Sequence, residues 1–229
     1  MDNWNGIGSL LIACIELILL INLLIFSEKN RLNNTANLMV LLLMIYQTFE
    51  FLICWAGIDS PFIVYLAFVD ISFLPPLNII LLFSLIIYKH KASNLVFLPA
   101  IGFVIYYAFF ISQFKVTSCA VLYASYYYPL GELYGTFFYL PIVVSLILLV
   151  RVILTDEEKK KKFIVKVLLT GNIIISIPVV TGFVLMFTGN YYLVSKMESI
   201  MCKFAFFYAV CLGVVSLYNT KRNNGRNNT

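Results

Sequence analysis

Apolar stretches about as long as a bilayer is thick, each closed by a short polar turn, recur along the whole chain. Hydropathy places them at 7–26, 37–57, 62–88, 94–112, 135–154, 163–187 and 197–218. At the helical rise, about 20 apolar residues cross the hydrocarbon core of a bilayer. The pattern therefore predicts an all-α fold, a seven-transmembrane-helix bundle that occupies 1–218 as one domain. A short polar tail follows over 219–229, Asn-rich and expected to be disordered. The connections are short apart from the segment 113–134, which reads as a loop.

The interruptions within these stretches say more than the stretches. The third one, Tyr65 to Tyr88, carries Asp70, then Pro75-Pro76, then Asn78. Two prolines remove backbone donors and break the helical ladder, so the freed carbonyls need partners inside the protein. An ionisable group in a spanning helix faces the bundle interior or water, because hydrocarbon penalises it. Pro141 and Pro178 give the fifth and sixth spans a similar freedom to bend around a cavity.

Composition agrees with the pattern. Of 229 residues, 62% are hydrophobic and 12% charged, with mean hydropathy +0.93. A soluble domain is closer to a quarter charged. Alternate connections collect Lys29, Arg31, Lys89, Lys91, Arg151, Lys159 to Lys162, Lys166, Lys221, Arg222 and Arg226, which is 13 of the 16 basic residues. Positive loops stay inside, so the N-terminus is expected outside and the C-terminus in the cytoplasm of a cell membrane. Trp4, Trp55, Tyr126 to Tyr128, Tyr191 and Tyr192 then fall at the outer interface, the depth amphipathic aromatics prefer. The N-terminus has no basic leader and no small-residue cleavage site, so the first span reads as retained.

The run TDEEKKKK at 155–162 reads as the solvated end of a helix against anionic headgroups. With the net charge of +5 explained by topology, no nucleic-acid partner is needed. Cys14, Cys54, Cys119, Cys202 and Cys211 show no Cys-x-x-Cys spacing and His90 is the sole histidine, so neither a metal nor another cofactor is expected. All five cysteines read as small packing residues.

Candidate chemistry lies in the ionisable residues of the spans. Counted from the outer helix ends, Glu16 sits about 15 Å deep, Glu50 about 11 Å, Asp70 about 13 Å and Lys203 about 10 Å. Tyr46, Gln47, Glu50 and Cys54 make one polar stripe, and Lys196, Ser199 and Lys203 another. If the last helix closes the bundle, Glu16, Glu50, Asp70 and Lys203 converge on one outer-half site. That site is either an ion pair of Lys203 with Glu50 or Asp70, or an outward-facing cavity that binds a polar or cationic ligand or responds to protonation.

Two resemblances bear on this. Phe49-Glu50, Phe73-Leu74-Pro75-Pro76-Leu77, the basic turn after Tyr88, and Tyr134-Gly135-Thr136-Phe137-Phe138 resemble the seven-helix N-terminal sensor region of prokaryotic histidine kinases. The resemblance implies an extracytoplasmic sensing bundle coupled to a cytoplasmic output. Only eleven residues follow Tyr218 and they hold no kinase motif, so the output is expected from a separate cytoplasmic signalling partner. Asp70-Ile71-Ser72-Phe73-Leu74-Pro75-Pro76-Leu77 is similar to the third-helix motif of microbial rhodopsins, which would make Lys203 a retinal lysine. A small transporter or channel is the other alternative, although the Pro-Pro of the third span has no counterpart in the seventh. No hydrolase or metalloprotease motif occurs, so the expectation is a non-enzymatic, receptor-like sensor for a small ligand or proton, at home in the lipid bilayer.

Overall fold

The computed structural model describes the backbone of residues 4–86, 91–121, 124–156, 158–188 and 191–227. Side chains at 86, 91–93, 132, 160, 183, 186, 187, 191–199 and 221–227 lie outside the described residues, and with them Lys196, Ser199, Tyr191 and Tyr192 of the sequence reading. The chain is 82% helical, and six helices are long and apolar enough to cross a membrane. In order they are α1 (Ile7–Phe26), α2 (Arg31–Cys54), the pair α3 (Pro61–Ser72) and α4 (Leu74–Ile86), α6 (Gly131–Thr155), α7 (Lys159–Phe187) and α8 (Tyr191–Asn227). Between α4 and α6 lies the short α5 (Leu98–Ala108), preceded by a 3-10 turn over Lys91–Phe97.

Local signals explain the boundaries. Helix α2 starts six residues before the apolar window at 37, because Asn30 caps it by accepting from the Asn33 amide at 2.9 Å. Ser60 caps α3 and Pro61 sits at its first position, where a missing N–H costs nothing. The third apolar stretch breaks at Phe73. Pro75 and Pro76 cannot donate back to Ile71 and Ser72, but both are tolerated in the first turn of the new helix α4. The Ser72 hydroxyl binds the Phe68 carbonyl at 2.7 Å and pairs with the Tyr134 hydroxyl at 3.0 Å. Helix α8 runs on through the tail to Asn227, where composition predicts disorder. The Thr220 hydroxyl and Asn219 amide anchor its lower part to Asn33 and to the Glu28 amide.

The segment 113–134 is not a plain loop. Lys115–Cys119 (β1) and Ala124–Tyr127 (β2) form an antiparallel hairpin, with Val116 opposite Tyr126 and Cys119 opposite Ala124. Its β-branched and aromatic residues suit a pleated, half-buried surface. Cys119 is disulfide-bonded to Cys54 at the end of α2, across a Cα–Cα distance of 5.5 Å. The packing role expected for all five cysteines thus fails for these two, while Cys14, Cys202 and Cys211 are free thiols. Gly6, in the left-handed region at φ 77°, donates its amide to the Ala120 carbonyl, and an added Cβ would come 3.1 Å from that of Cys54. The start of α1, the end of α2 and the hairpin are therefore tied into one layer.

Helices α1, α2 and α8 pack on one another, α7 lies along α8, and α6 bridges α7 and α4. Helix α3 leans on α2, α5 and β1. Seven-residue spacing marks the outer face: Leu11, Ile18 and Ile25 on α1, and Leu140, Ile147 and Leu154 on α6, are all exposed. Exposed apolar stripes of this length suit contact with lipid.

Candidate functional site

The site is built on the α1–α2–α8 contact. Helical spacing puts Gln47 and Glu50 on one face of α2, and Lys203 comes to them from α8. The Lys203 ammonium donates to Gln47 Oε1 at 2.7 Å, Glu50 Oε2 at 2.9 Å and Ser9 Oγ of α1 at 2.7 Å. An ammonium has three donors, and these contacts use all three. Gln47 spends its own amide on the Cys202 carbonyl at 3.0 Å, next to Lys203 in the chain. Ser9, Gln47 and Glu50 are 0%, 0% and 1% exposed, so this network lies within the bundle and joins three helices.

The other two predicted residues differ from this pair. Glu16 is 0% exposed, two turns along α1 from Ser9, and within the electrostatic reach of Lys203. Among the described residues, neither of its carboxyl oxygens has a hydrogen-bond partner. Asp70 is also buried and, among the described residues, its Oδ2 has no partner; Lys203 makes its hydrogen bonds to Ser9, Gln47 and Glu50 instead. The structure thus gathers Glu50 and Lys203 directly, keeps Glu16 nearby, and leaves Asp70 apart on α3. That separation follows from the packing, since α3 lies mainly against α2 and α5 and meets α8 through Ala67, on the Cys202 side.

Two cavities adjoin the network. The first, of about 40 Å³, lies between α2, α3, α6 and α8. Its wall is mostly aromatic: Tyr46 and Phe68, then Tyr134, Phe138 and Tyr139 from α6, with Tyr126 of the hairpin and its flanking Phe114 and Tyr128. The second, of about 50 Å³, shares Ile71, Phe138 and Met201 with the first. Asn78, Asn172 and Tyr208 line it and close a buried polar triad, in which Asn78 donates to Asn172 at 2.8 Å and the Tyr208 hydroxyl donates to Asn78 at 2.5 Å. None of Glu16, Glu50, Asp70 or Lys203 lines either cavity. Tyr46 is the link, for it faces the first cavity and is an electrostatic neighbour of Glu50, Cys202 and Tyr126.

Sequence reasoning missed Ser9, Asn172 and Tyr208. Asn172 carried a usable signal, an amide in the middle of an apolar span, whereas Ser9 and Tyr208 resemble ordinary membrane residues. No protein family, curated protein or solved structure matches the chain.

Proposed function

We propose that the chain is a receptor-like integral protein of the cell membrane, without enzymatic activity. In this reading it senses a small ligand or proton from outside and passes the signal to a separate cytoplasmic partner. The observation that carries the reading is the Lys203 ammonium, held inside the bundle by groups from α1 and α2 and joined through Tyr46 to an aromatic cavity. Ionisable groups are expensive within a membrane and are retained where they work.

The proposal takes α5 and its preceding 3-10 turn as a seventh crossing, with the N-terminus outside. The Cys54–Cys119 bridge supports that orientation, because disulfides persist on the oxidising side of a membrane. The 13 basic residues of the opposite connections support it too. An occupant of the cavity displaces Tyr46, which perturbs Glu50 and loosens Lys203. Helix α8 is then free to shift, and its lower end, latched by Asn219 and Thr220 to Asn33, delivers the movement inside.

Spin labels at exposed Leu217 of α8 and Thr155 of α6 test this, with Cys14 and Cys211 replaced by Ala. Glu50→Gln, which breaks the ion pair, is expected to shift or broaden the label separation. An unchanged distribution would remove α8 as the moving part. Solute or ion flux through reconstituted vesicles would instead favour a transporter.

A further inference from the structure

The geometry points to the aromatic cavity as a binding site for a neutral, single-ring aromatic molecule carrying one hydrogen-bonding group, of the phenol type. This inference deepens the receptor reading and rests on it only for what binding achieves, not for binding itself.

Two observations carry it, and a third bounds the size of the guest. The first is the wall. Phe68 packs at 4.3 to 5.5 Å, edge-on or tilted, against Phe114, Tyr128 and Tyr134, so the lining already presents ring faces and edges in the arrangement that aromatic pairs prefer. A flat ring added to such a cluster meets complementary partners on several sides. The second is charge. Among the described residues no Asp, Glu, Lys or Arg lines the cavity, and Glu50 and Lys203, beside its Tyr46, are paired with each other. A cation placed here would lose its water without gaining a counter-ion, so a neutral guest is selected. The polar groups on offer are phenols, and the hydroxyls of Tyr46 and Tyr126 come together next to Glu50. One donor or acceptor on the guest suffices for them.

The third observation is size. An apolar cavity of about 150 Å³ accommodates benzene, whereas this one measures about 40 Å³. The partition to the second cavity consists of Ile71, Phe138 and Met201, and an unbranched methionine is the side chain best able to yield. The two spaces together remain smaller than the benzene cavity, so a single ring enters only if Met201 swings aside and the aromatic wall yields as well. A fused polycycle does not.

The test uses 4-fluorophenol with the full chain in lipid nanodiscs, followed by fluorine NMR. The expected result is a saturable bound signal for the unaltered protein. Ala67→Leu fills the cavity from α3 and is expected to weaken binding at least tenfold. Gly135→Ala keeps the proposal testable if Ala67→Leu does not fold: its new methyl lies 3.6 Å from the Tyr139 ring, ordinary contact, and it should weaken binding several-fold. Equal signals from all three proteins would place the probe in lipid and overturn the site, as would the absence of saturable binding. Tighter binding of benzyltrimethylammonium than of 4-fluorophenol would overturn the neutral-ring assignment. Binding as expected with no change in the Leu217–Thr155 distance would sink the receptor reading and leave this inference standing.

Discussion

Lys203→Met removes the ammonium and keeps most of the side chain's bulk. Glu50, 1% exposed, loses the ammonium it is paired with, while Gln47 Oε1 and Ser9 Oγ lose their donor. Removing one partner of a buried ion pair costs ~3–5 kcal/mol, because the remaining charge stays desolvated. Ser9 can turn its hydroxyl to the backbone, so its loss adds little, and we expect a total near ~4 kcal/mol. Adding Glu50→Gln replaces the stranded carboxylate by an amide able to donate to Gln47. The double variant should then lose no more than ~1–2 kcal/mol, a rescue of ~2–3 kcal/mol relative to Lys203→Met alone. Lys203→Met with Asp70→Asn should be additive within ~0.5 kcal/mol, since Asp70 lies outside the network. Reversible unfolding in mixed detergent micelles, followed by circular dichroism, reads these three variants, the single Glu50→Gln and Asp70→Asn variants and the unaltered protein. Additivity for the Glu50 pair, or rescue by Asp70→Asn, would refute the assignment of Glu50 as the partner.

Reduction of Cys54–Cys119 releases a constraint spanning 65 residues, worth up to ~4 kcal/mol on chain-entropy grounds. A reductant should therefore lower the melting temperature of the unaltered protein and leave a Cys54→Ala/Cys119→Ala variant unmoved. Tyr208→Phe removes the donor to Asn78 and should cost ~1–3 kcal/mol in the same unfolding assay; a neutral result would mean the triad relaxes without strain. In the α6–α7 turn, the hydrogen bond from Lys161 holds the Asp156 carboxyl below its ordinary range. Its small contribution is present above the ordinary carboxylate value and is lost as pH falls through the lowered one, so the Asp156 titration should shift upward in Lys161→Ala.

The helices were legible because a membrane span is a length of apolar residues, and neither α1 nor α6 needs tertiary information to be placed. The break near Pro75-Pro76 was equally readable, since proline chemistry is local. Cys54 and Cys119 were not: 65 residues apart, they meet only because the hairpin folds back over the end of α2. The alternating β-branched and aromatic character of Val116-Thr117 and Ala124 to Tyr127 was the available sign of that hairpin. Glu50 and Lys203 could be named as partners, but Asp70 was grouped with them on depth alone. Depth fixes one coordinate of a residue in a bundle; rotation about the helix axis fixes the other, and helices this uniformly apolar carry little signal for it.

Helix α8 is held by polar contacts at three levels: Lys203 to Ser9, Gln47 and Glu50; Tyr208 to Asn78 and Asn172; and Asn219 with Thr220 to Asn33 and Glu28. Apolar side chains could pack the same helix at no desolvation cost, although lipid tails are as apolar and compete with them. Hydrogen bonds differ from packing in being discrete: a shift of one helical turn breaks all three sets at once, whereas apolar surfaces slide. A helix fixed this way has a single register, and leaving it requires a new set of partners. Glu16 supplies an unused acceptor near the first set, two turns along α1 from the Ser9 that Lys203 now holds. Its burial without a hydrogen bond is a standing cost of ~1–3 kcal/mol. Stability alone would favour Met at that position.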